Sequence, residues 1–288
     1  MNAINTLTWK DRLHGYKKNP ASAVLFLLVA LAALLTFAVL LFLISYILAR
    51  GLPHLTPSLF EWEHNTTNVS MMPAIINTII MVILGLILAG PLGIFSAIFL
   101  VEYAGTGSKL IKVVRITTET LSGIPSIVFG LFGMLFFVMA LGWGFSMLAG
   151  AFTLSIMILP LIMRTTEEAL LSVPVSYREG SYALGAGKLR TIFRIVLPSA
   201  MPGVLAGVIL GMGRVVGETA ALMFTAGTIA QITPNVMDSG RTLAVHMYVL
   251  ASEGFHVNQA SATGVVLLVM VIIINWLSGF VAKKFTKS

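Results

Sequence analysis

Cysteine is absent from the 288 residues, which excludes disulfides, thiolate metal sites and a cysteine nucleophile while leaving the redox compartment open. Charge is scarce as well, at 10% of positions. No Walker A loop is present, so the chain carries no nucleotide cradle of its own. The five histidines, His14, His54, His64, His246 and His256, show neither a His-Glu-x-x-His pattern nor paired ligand spacing, and give no sequence signal for a metal site.

What fills the chain instead is apolar. A hydrophobic content of 57% and a mean hydropathy of +0.96 exceed what one soluble core uses, so most of the chain must face lipid. The net charge of +7 sits in short clusters between apolar runs, the pattern of cytoplasmic membrane flanks rather than of a nucleic-acid surface. The Asn-x-Ser/Thr matches at Asn65 and Asn68 read as chance.

Runs of about 20 apolar residues without a charge mark the membrane spans. The first is Ala21–Ala49, too long for a signal-peptide core and without a small-residue cleavage site, so it reads as a retained helix between an N-terminal tail (1–20) and an external loop (50–73). Five more follow: about Ala74–Leu100, Ser122–Leu141, Phe145–Met163, Ala200–Phe224 and Ala262–Val281. The expected fold is an all-α integral membrane protein with six transmembrane helices, a core over 74–281 and a short tail over 282–288. Gly90-Pro91 interrupts the second span and Gly123-Ile124-Pro125 opens the third, so both are expected to kink or break near one membrane face.

Orientation follows from Lys and Arg counted by loop. The N-terminus, the 101–121 loop, the 164–199 loop and the C-terminus hold 15, whereas the alternate loops hold only Arg50 and Arg241. An even number of spans with both termini cytoplasmic fits that bias.

The 164–199 loop contains a polar island, "YREGSYALGAGKLRTIFRIVLP". Ser176 and Glu179 have capping-box spacing, so a short helix is expected from about Ser176 to Leu184. Gly185 can end it in a left-handed conformation, and Lys188–Val196 reads as a second short helix before Pro198 and the fifth span. Residue by residue, Glu179 as a helix cap and the basic residues as membrane-flank markers account for the stretch.

Taken together, Glu179-Gly180-Ser181, Gly185 and the Ile195-Val196-Leu197-Pro198 run resemble the EAA loop of ABC importer permeases. That resemblance implies a type I importer (MetI-like) fold in which Glu179, Gly180, Ser181, Gly185, Leu197 and Pro198 couple to an ATPase subunit. Gly180 and Ser181 stand where the family has alanines. With "RTTEEALLSVPVSYREGSYALGAGK", "LSGIPSIVFGLFG" and "GRVVGETAALMFTAG", the chain from about Ala74 to Val281 is similar to phosphate ABC transporter permeases of the PstA type. Ala221 stands where that type often has Pro. The resemblance implies a prokaryotic plasma-membrane protein, a related permease subunit as heterodimer partner, two ATPase subunits that hold ATP and Mg, and an external phosphate-binding protein. No cofactor is expected on this chain.

The fifth span can be read without that resemblance. At about 100° per residue, Gly203, Gly207, Gly211, Arg214 and Glu218 fall within about 80° of arc on one helical face. The small residues let another helix approach closely. A mid-membrane charge costs about 2.5 to 3.5 kcal/mol on insertion scales, so Arg214 and Glu218 should face protein or a water-filled path. Arg214, Glu218 and Thr219 are therefore candidates for an anion path, and a structural Arg-Glu pair locking helix packing is the alternative reading.

Elsewhere, Gly142-Trp143-Gly144 reads as a turn, and Phe129, Phe132, Phe136 and Phe137 as packing. The mostly apolar Thr242–Ala251 stretch, within a long outer segment, is expected at the interface or as an external gate. Three functional classes follow: the membrane subunit of an ATP-driven phosphate importer, with the paired permease subunit or a permease for another oxyanion as alternatives; a stand-alone secondary transporter, which a docking loop disfavours; and an intramembrane enzyme, for which no span supplies a histidine base.

Overall fold

The computed structural model describes residues 20–104 and 109–286, and every element among them is helical. The N-terminal tail expected over 1–20 lies outside the described residues except for Pro20. Two units divide the chain, Met1–Arg50 and Gly51–Ser288. The described part of the first is α1, Pro20–Gly51. Its 32 residues are about 48 Å long at 1.5 Å per residue, ample for a hydrocarbon core of about 30 Å.

The second unit is a helical bundle. In chain order it contains α2 (Met72–Tyr103), α3 (Lys109–Ser122), α4 (Ser126–Ala140), α5 (Met147–Ser172), α6 (Val175–Ala183), α7 (Lys188–Gly217), α8 (Ala220–Met223), α9 (Leu243–Glu253) and α10 (Val257–Thr286). Among the described residues, five helices (α1, α2, α5, α7 and α10) are long and apolar enough to cross a membrane, or six spans if the bent pair α3 and α4 counts as one.

The two proline interruptions behave differently. α2 passes through Pro91 without a break and closes on a π-helical turn, Phe99–Tyr103. Neighbouring helices re-satisfy the backbone that a proline frees in such a setting. Gly123-Ile124-Pro125, by contrast, bends α3 against α4 by 101°. Pro125 takes an extended conformation (φ −59°, ψ 142°) as the residue that opens α4, and a proline there disfavours helix in the residue before it. The third span expected as Ser122–Leu141 is thus only the second arm of a sharp elbow.

Close backbone contacts fix the helix directions. Gly150 of α5 faces Met81 of α2, Ser155 Oγ donates to Gly85 O at 3.2 Å, and Gly93 faces Ile162, so α2 and α5 run parallel. Gly203, Gly207 and Gly211 of α7 face Ala169, Thr165 and Ile162, so α7 runs antiparallel to α5. Ser146 caps α5, its Oγ accepting from Ala149 N at 3.2 Å. The core between these helices holds Met81, Leu154, Met157, Ile158, Ile162, Val216 and Leu222.

This directionality gives the bundle two ends. At one lie Tyr103, the C-terminus of α5, α6 and the start of α7. At the other lie Met72, the N-terminus of α5 and the segment 225–243, whose carbonyls at Thr225, Val236 and Asp238 accept from Ser146, Leu148 and Met147 N. The Thr242–Ala251 stretch becomes α9, with Leu243, Ala244, Val245, His246 and Leu250 buried in protein. α10 starts at Val257 rather than Ala262 and runs to Thr286, so the tail expected over 282–288 is helical as far as it is described. Phe132 and Phe136 stack, and Phe137 meets both edge to face and also meets Trp143 and Phe152, which makes the aromatic group a packing cluster.

Candidate functional site

At the first end, α6 and the start of α7 form a helix, a bend and a second helix. α6 begins at Val175 after Pro174, and no side chain caps it. Ser176 therefore lies inside the helix, and the expected capping box does not form: a proline at the N-cap fixes φ, and Glu179 is left exposed. At the other end of α6, Gly185 has φ +81°. Gly185 N donates to Tyr182 O at 2.9 Å and Ala186 N to Ser181 O at 3.1 Å, the two reverse bonds of a Schellman ending that requires a left-handed residue.

Two contacts hold this loop in place. Ser181 is buried, and its hydroxyl meets Thr191 Oγ1 at 2.8 Å, tying α6 to α7. Arg178 reaches Glu102 at the end of α2, donating from Nε at 3.0 Å and Nη2 at 2.8 Å, and also donates to Val173 O and Leu170 O. What remains outward is apolar with basic neighbours. Tyr177, Tyr182, Leu189 and Phe193 are exposed and Leu184 is 90% exposed, beside a groove of about 490 Å³ lined by Ser181, Leu184, Ala186, Arg190, Arg194 and Ile195. Exposed apolar side chains rimmed by charge mark an interaction surface. Glu179, Gly180 and Gly185 lie on the open side; Leu197 is half-buried and Pro198 exposed.

α7 departs from the expected short helix at this point. Lys188–Gly217 is continuous through Pro198, with a π-helical stretch at Ile192–Val196, so the fifth span begins inside the polar island. Along it, a Cβ on Gly203 would come within 2.5 Å of Ala169 Cβ, and one on Gly207 would overlap Thr165 Oγ1. The glycines let α7 lie directly on α5.

The span ends earlier than expected. α7 stops at Gly217; Glu218 is extended (φ −74°, ψ 128°), and α8 restarts at Ala220. Arg214 and Glu218 are consequently not an i, i+4 pair on one helix, and no ion pair joins them among the described residues. Glu218 is 8% exposed, and its Oε1 accepts from Ala221 N at 3.1 Å, so the carboxylate caps the restart. Arg214 is half-buried. A Cβ on Gly130 of α4 would come within 2.8 Å of Ala221 Cα, so α4 packs directly on the broken segment. Val215 faces Gly85 near the middle of α2, which sets the break at mid-bundle depth. Non-helical backbone at that depth is tolerated only where it is buried in protein or lines a water-filled cavity.

The sequence reading did not find Glu102. It is the carboxylate closing the second apolar run, and asking what neutralises Arg178 would have pointed to it. It also passed over His64, Arg241 and His246, which the fold brings together at the opposite end.

The bundle thus combines membrane-length helices, a span broken near its centre and an exposed apolar loop at one end. Residues 89–287 match the model of the family described as binding-protein-dependent transport system inner membrane component, and the chain belongs to that family. It is 34% identical over 283 residues to the probable ABC transporter permease protein YqgI of Bacillus subtilis (strain 168), covering 89% of this chain and 94% of the relative. It is 35% identical over 242 residues to the phosphate transport system permease protein PstA 1 of Mycobacterium tuberculosis (strain CDC 1551 / Oshkosh), covering 81% and 79%. Among solved structures, a chain of a bacterial alginate ABC transporter superposes with a TM-score of 0.69 at 16% identity, covering 95% of this chain and 98% of the other. A chain of the MetNI methionine ABC transporter gives 0.59 at 19% identity, covering 75% and 94%. The fold is that of MetI-type importer permeases, and the family is one of transporter components rather than enzymes.

Proposed function

We propose that this chain is the PstA-type permease subunit of an ATP-driven importer of inorganic phosphate, lying in a prokaryotic plasma membrane with both termini cytoplasmic. It pairs with a related permease subunit, takes energy from two ATPase subunits that bind ATP and Mg, and receives phosphate from an external binding protein. The observation that carries the reading is Arg214, half-buried beside the break at Gly217–Glu218 and without a carboxylate partner among the described residues. A cation at mid-membrane is costly unless an anion or water meets it, and a broken helix frees backbone N–H groups for an anion. The 35% identity to PstA 1 over 81% of this chain supports phosphate as that anion.

In this scheme the face carrying Glu179, Gly180, Gly185 and Leu184 seats an ATPase subunit, Ser181 ties that face to α7 through Thr191, and Leu197 and Pro198 carry the movement into α7. Arg214, Glu218 and Thr219 line the path, and Gly203, Gly207 and Gly211 keep α7 against α5. A permease for another oxyanion would share every one of these features. Proteoliposomes holding the assembled complex decide between them: ATP-dependent uptake of radiolabelled phosphate, with sulfate and molybdate as competitors. Uptake of sulfate or molybdate in preference to phosphate would reassign the substrate.

A further inference from the structure

Among the described residues, five buried side-chain nitrogen or oxygen atoms lack a hydrogen-bond partner, and four of them fall within six consecutive positions. They are Arg241 Nε, Thr242 Oγ1, and both ring nitrogens of His246; the fifth is Thr166 Oγ1, in α5. Arg241 is 5% exposed, Thr242 1% and His246 not at all. A buried polar atom left unpaired is costly, so four of them within six positions mark a site whose partner is something other than this chain.

The charge there is of one sign. Arg241 Nη2 lies 3.2 Å from His64 Nε2, and the His64 and His246 rings are 5.7 Å apart, edge to face. His64 Nδ1 donates to Ser70 O at 2.9 Å, which leaves Nε2 as the acceptor that meets Arg241. No carboxylate forms an ion pair with Arg241 among the described residues; Glu253 acts on it only at longer range. Burial holds Arg241 down to about 10. It lowers His246 to about 3, with Arg241 and His64 adding repulsion. The Val69 carbonyl faces the His246 ring without completing a hydrogen bond.

The cluster is held by the scaffold rather than by loose loops. Asn77 of α2 donates to Gln231 O at 2.8 Å and to Arg241 O at 3.3 Å, and its Oδ1 accepts from Thr233. Thr78 Oγ1 accepts from Leu243 N at 2.8 Å, so the segment carrying Arg241 and Thr242 is tied to α2. Thr242 also stands at the N-terminus of α9 with no side-chain cap, where the helix dipole favours negative charge.

We propose that Arg241, Thr242 and His246, covered by His64, form a binding site for a tetrahedral oxyanion at the end of the bundle opposite the coupling loop. The anion accepts from Arg241 Nε–H, the Thr242 hydroxyl and a His246 N–H, which satisfies the orphaned donors and neutralises the cluster. His64, only half-buried, is the side chain that moves for entry. The site would receive the anion before it reaches Arg214. The choice of phosphate as one probe rests on the transport reading above, whereas the existence of the site does not.

The test is titration of the full chain in nanodiscs with inorganic phosphate and with sulfate, against chloride at equal ionic strength, by calorimetry and by the anion-dependent rise in thermal midpoint. Wild type binds at least one oxyanion. Arg241→Gln and His246→Gln weaken it about tenfold or more. Thr242→Val, which keeps shape and charge, weakens it about threefold to tenfold and decides the matter should either other variant fail to fold. Absence of oxyanion binding, or unchanged affinity in Thr242→Val, overturns the site. Phosphate uptake by the assembled wild type together with unchanged affinity in Arg241→Gln sinks the site and leaves the transport reading standing. Sulfate binding that Arg241→Gln abolishes, in a chain whose complex takes up no phosphate, keeps the site and sinks the substrate.

Discussion

Arg178 and Glu102 are 76 positions apart in sequence, yet the Arg178 guanidinium donates twice to one Glu102 carboxylate oxygen, at 3.0 and 2.8 Å. Their side chains are 15% and 6% exposed. This pair fastens α6 to the end of α2; in the proposed function, a push on α6 would then be delivered to a membrane helix and not absorbed by a loop. Removing one partner of a buried pair leaves the other charge uncompensated, at about 3 to 5 kcal/mol. Glu102→Gln should therefore keep all spans inserted but uncouple the complex. The measurement is ATP hydrolysis and substrate uptake on the same proteoliposomes; uptake per ATP equal to wild type would show that the clamp transmits nothing.

Two glycines of α7 separate packing from helix propensity. Gly207 has Thr165 where its Cβ would go, whereas Gly213 has nothing within 4 Å. Gly207→Ala should force α7 off α5 and lower the thermal midpoint. Gly213→Ala should be neutral or stabilising by up to about 1 kcal/mol through helix propensity alone. Thermal unfolding of both single variants in detergent checks this, and equal midpoints would refute the close approach.

Arg214 and Glu218 should now be separable. Glu218 caps α8 through Ala221 N and is not paired with Arg214, so Glu218→Gln, whose carbonyl oxygen can still accept, should leave assembly intact. Arg214→Gln should abolish uptake while the complex assembles and binds ATP. Size-exclusion profiles and uptake measured together test both; collapse of the complex in Glu218→Gln would restore the Arg-Glu pair as the structural element.

The His246 environment implies a pH dependence. Its native pKa, about 3, lies below the ordinary value near 6.5, so protons favour the unfolded form. The contribution is fully present above about pH 6.5 and is lost as pH falls toward 3. At pH 5 the loss is about 2 kcal/mol. The thermal midpoint of the full chain should fall between pH 7.5 and 5, and His246→Gln should flatten that slope. A wild-type midpoint independent of pH over this range would contradict the buried neutral imidazole.

Much of the architecture was legible because it depends on local quantities. Apolar runs of membrane length mark spans whatever their neighbours, and Gly185 followed by a basic helix marks a left-handed turn. The Gly203, Gly207, Gly211 stripe is periodic at the helix repeat, and it lies where a second helix packs. The misreadings share one cause. Gly90-Pro91 and Gly123-Ile124-Pro125 look alike in sequence, but packing decides which proline is absorbed and which bends the chain by 101°. Extending the fifth span to Phe224 assumed that apolar sequence continues a helix, and nothing local to Gly217-Glu218 announces that α4 will pack on Ala220 and Ala221.

The sequence alone determined that the chain is a multi-span membrane protein with a helix-bend-helix loop around Gly185, since hydrophobic length, basic flanks and turn residues act over a few neighbours. Tertiary structure alone decided three things: that Glu102 clamps Arg178, that Glu218 caps α8 instead of pairing with Arg214, and that His64 meets Arg241 and His246. The first and third depend on backbone directions set by helix-on-helix packing, which bring together residues 76 and 177 positions apart that no local periodicity relates; the second is a contact over three positions that exists only because α7 breaks at Gly217.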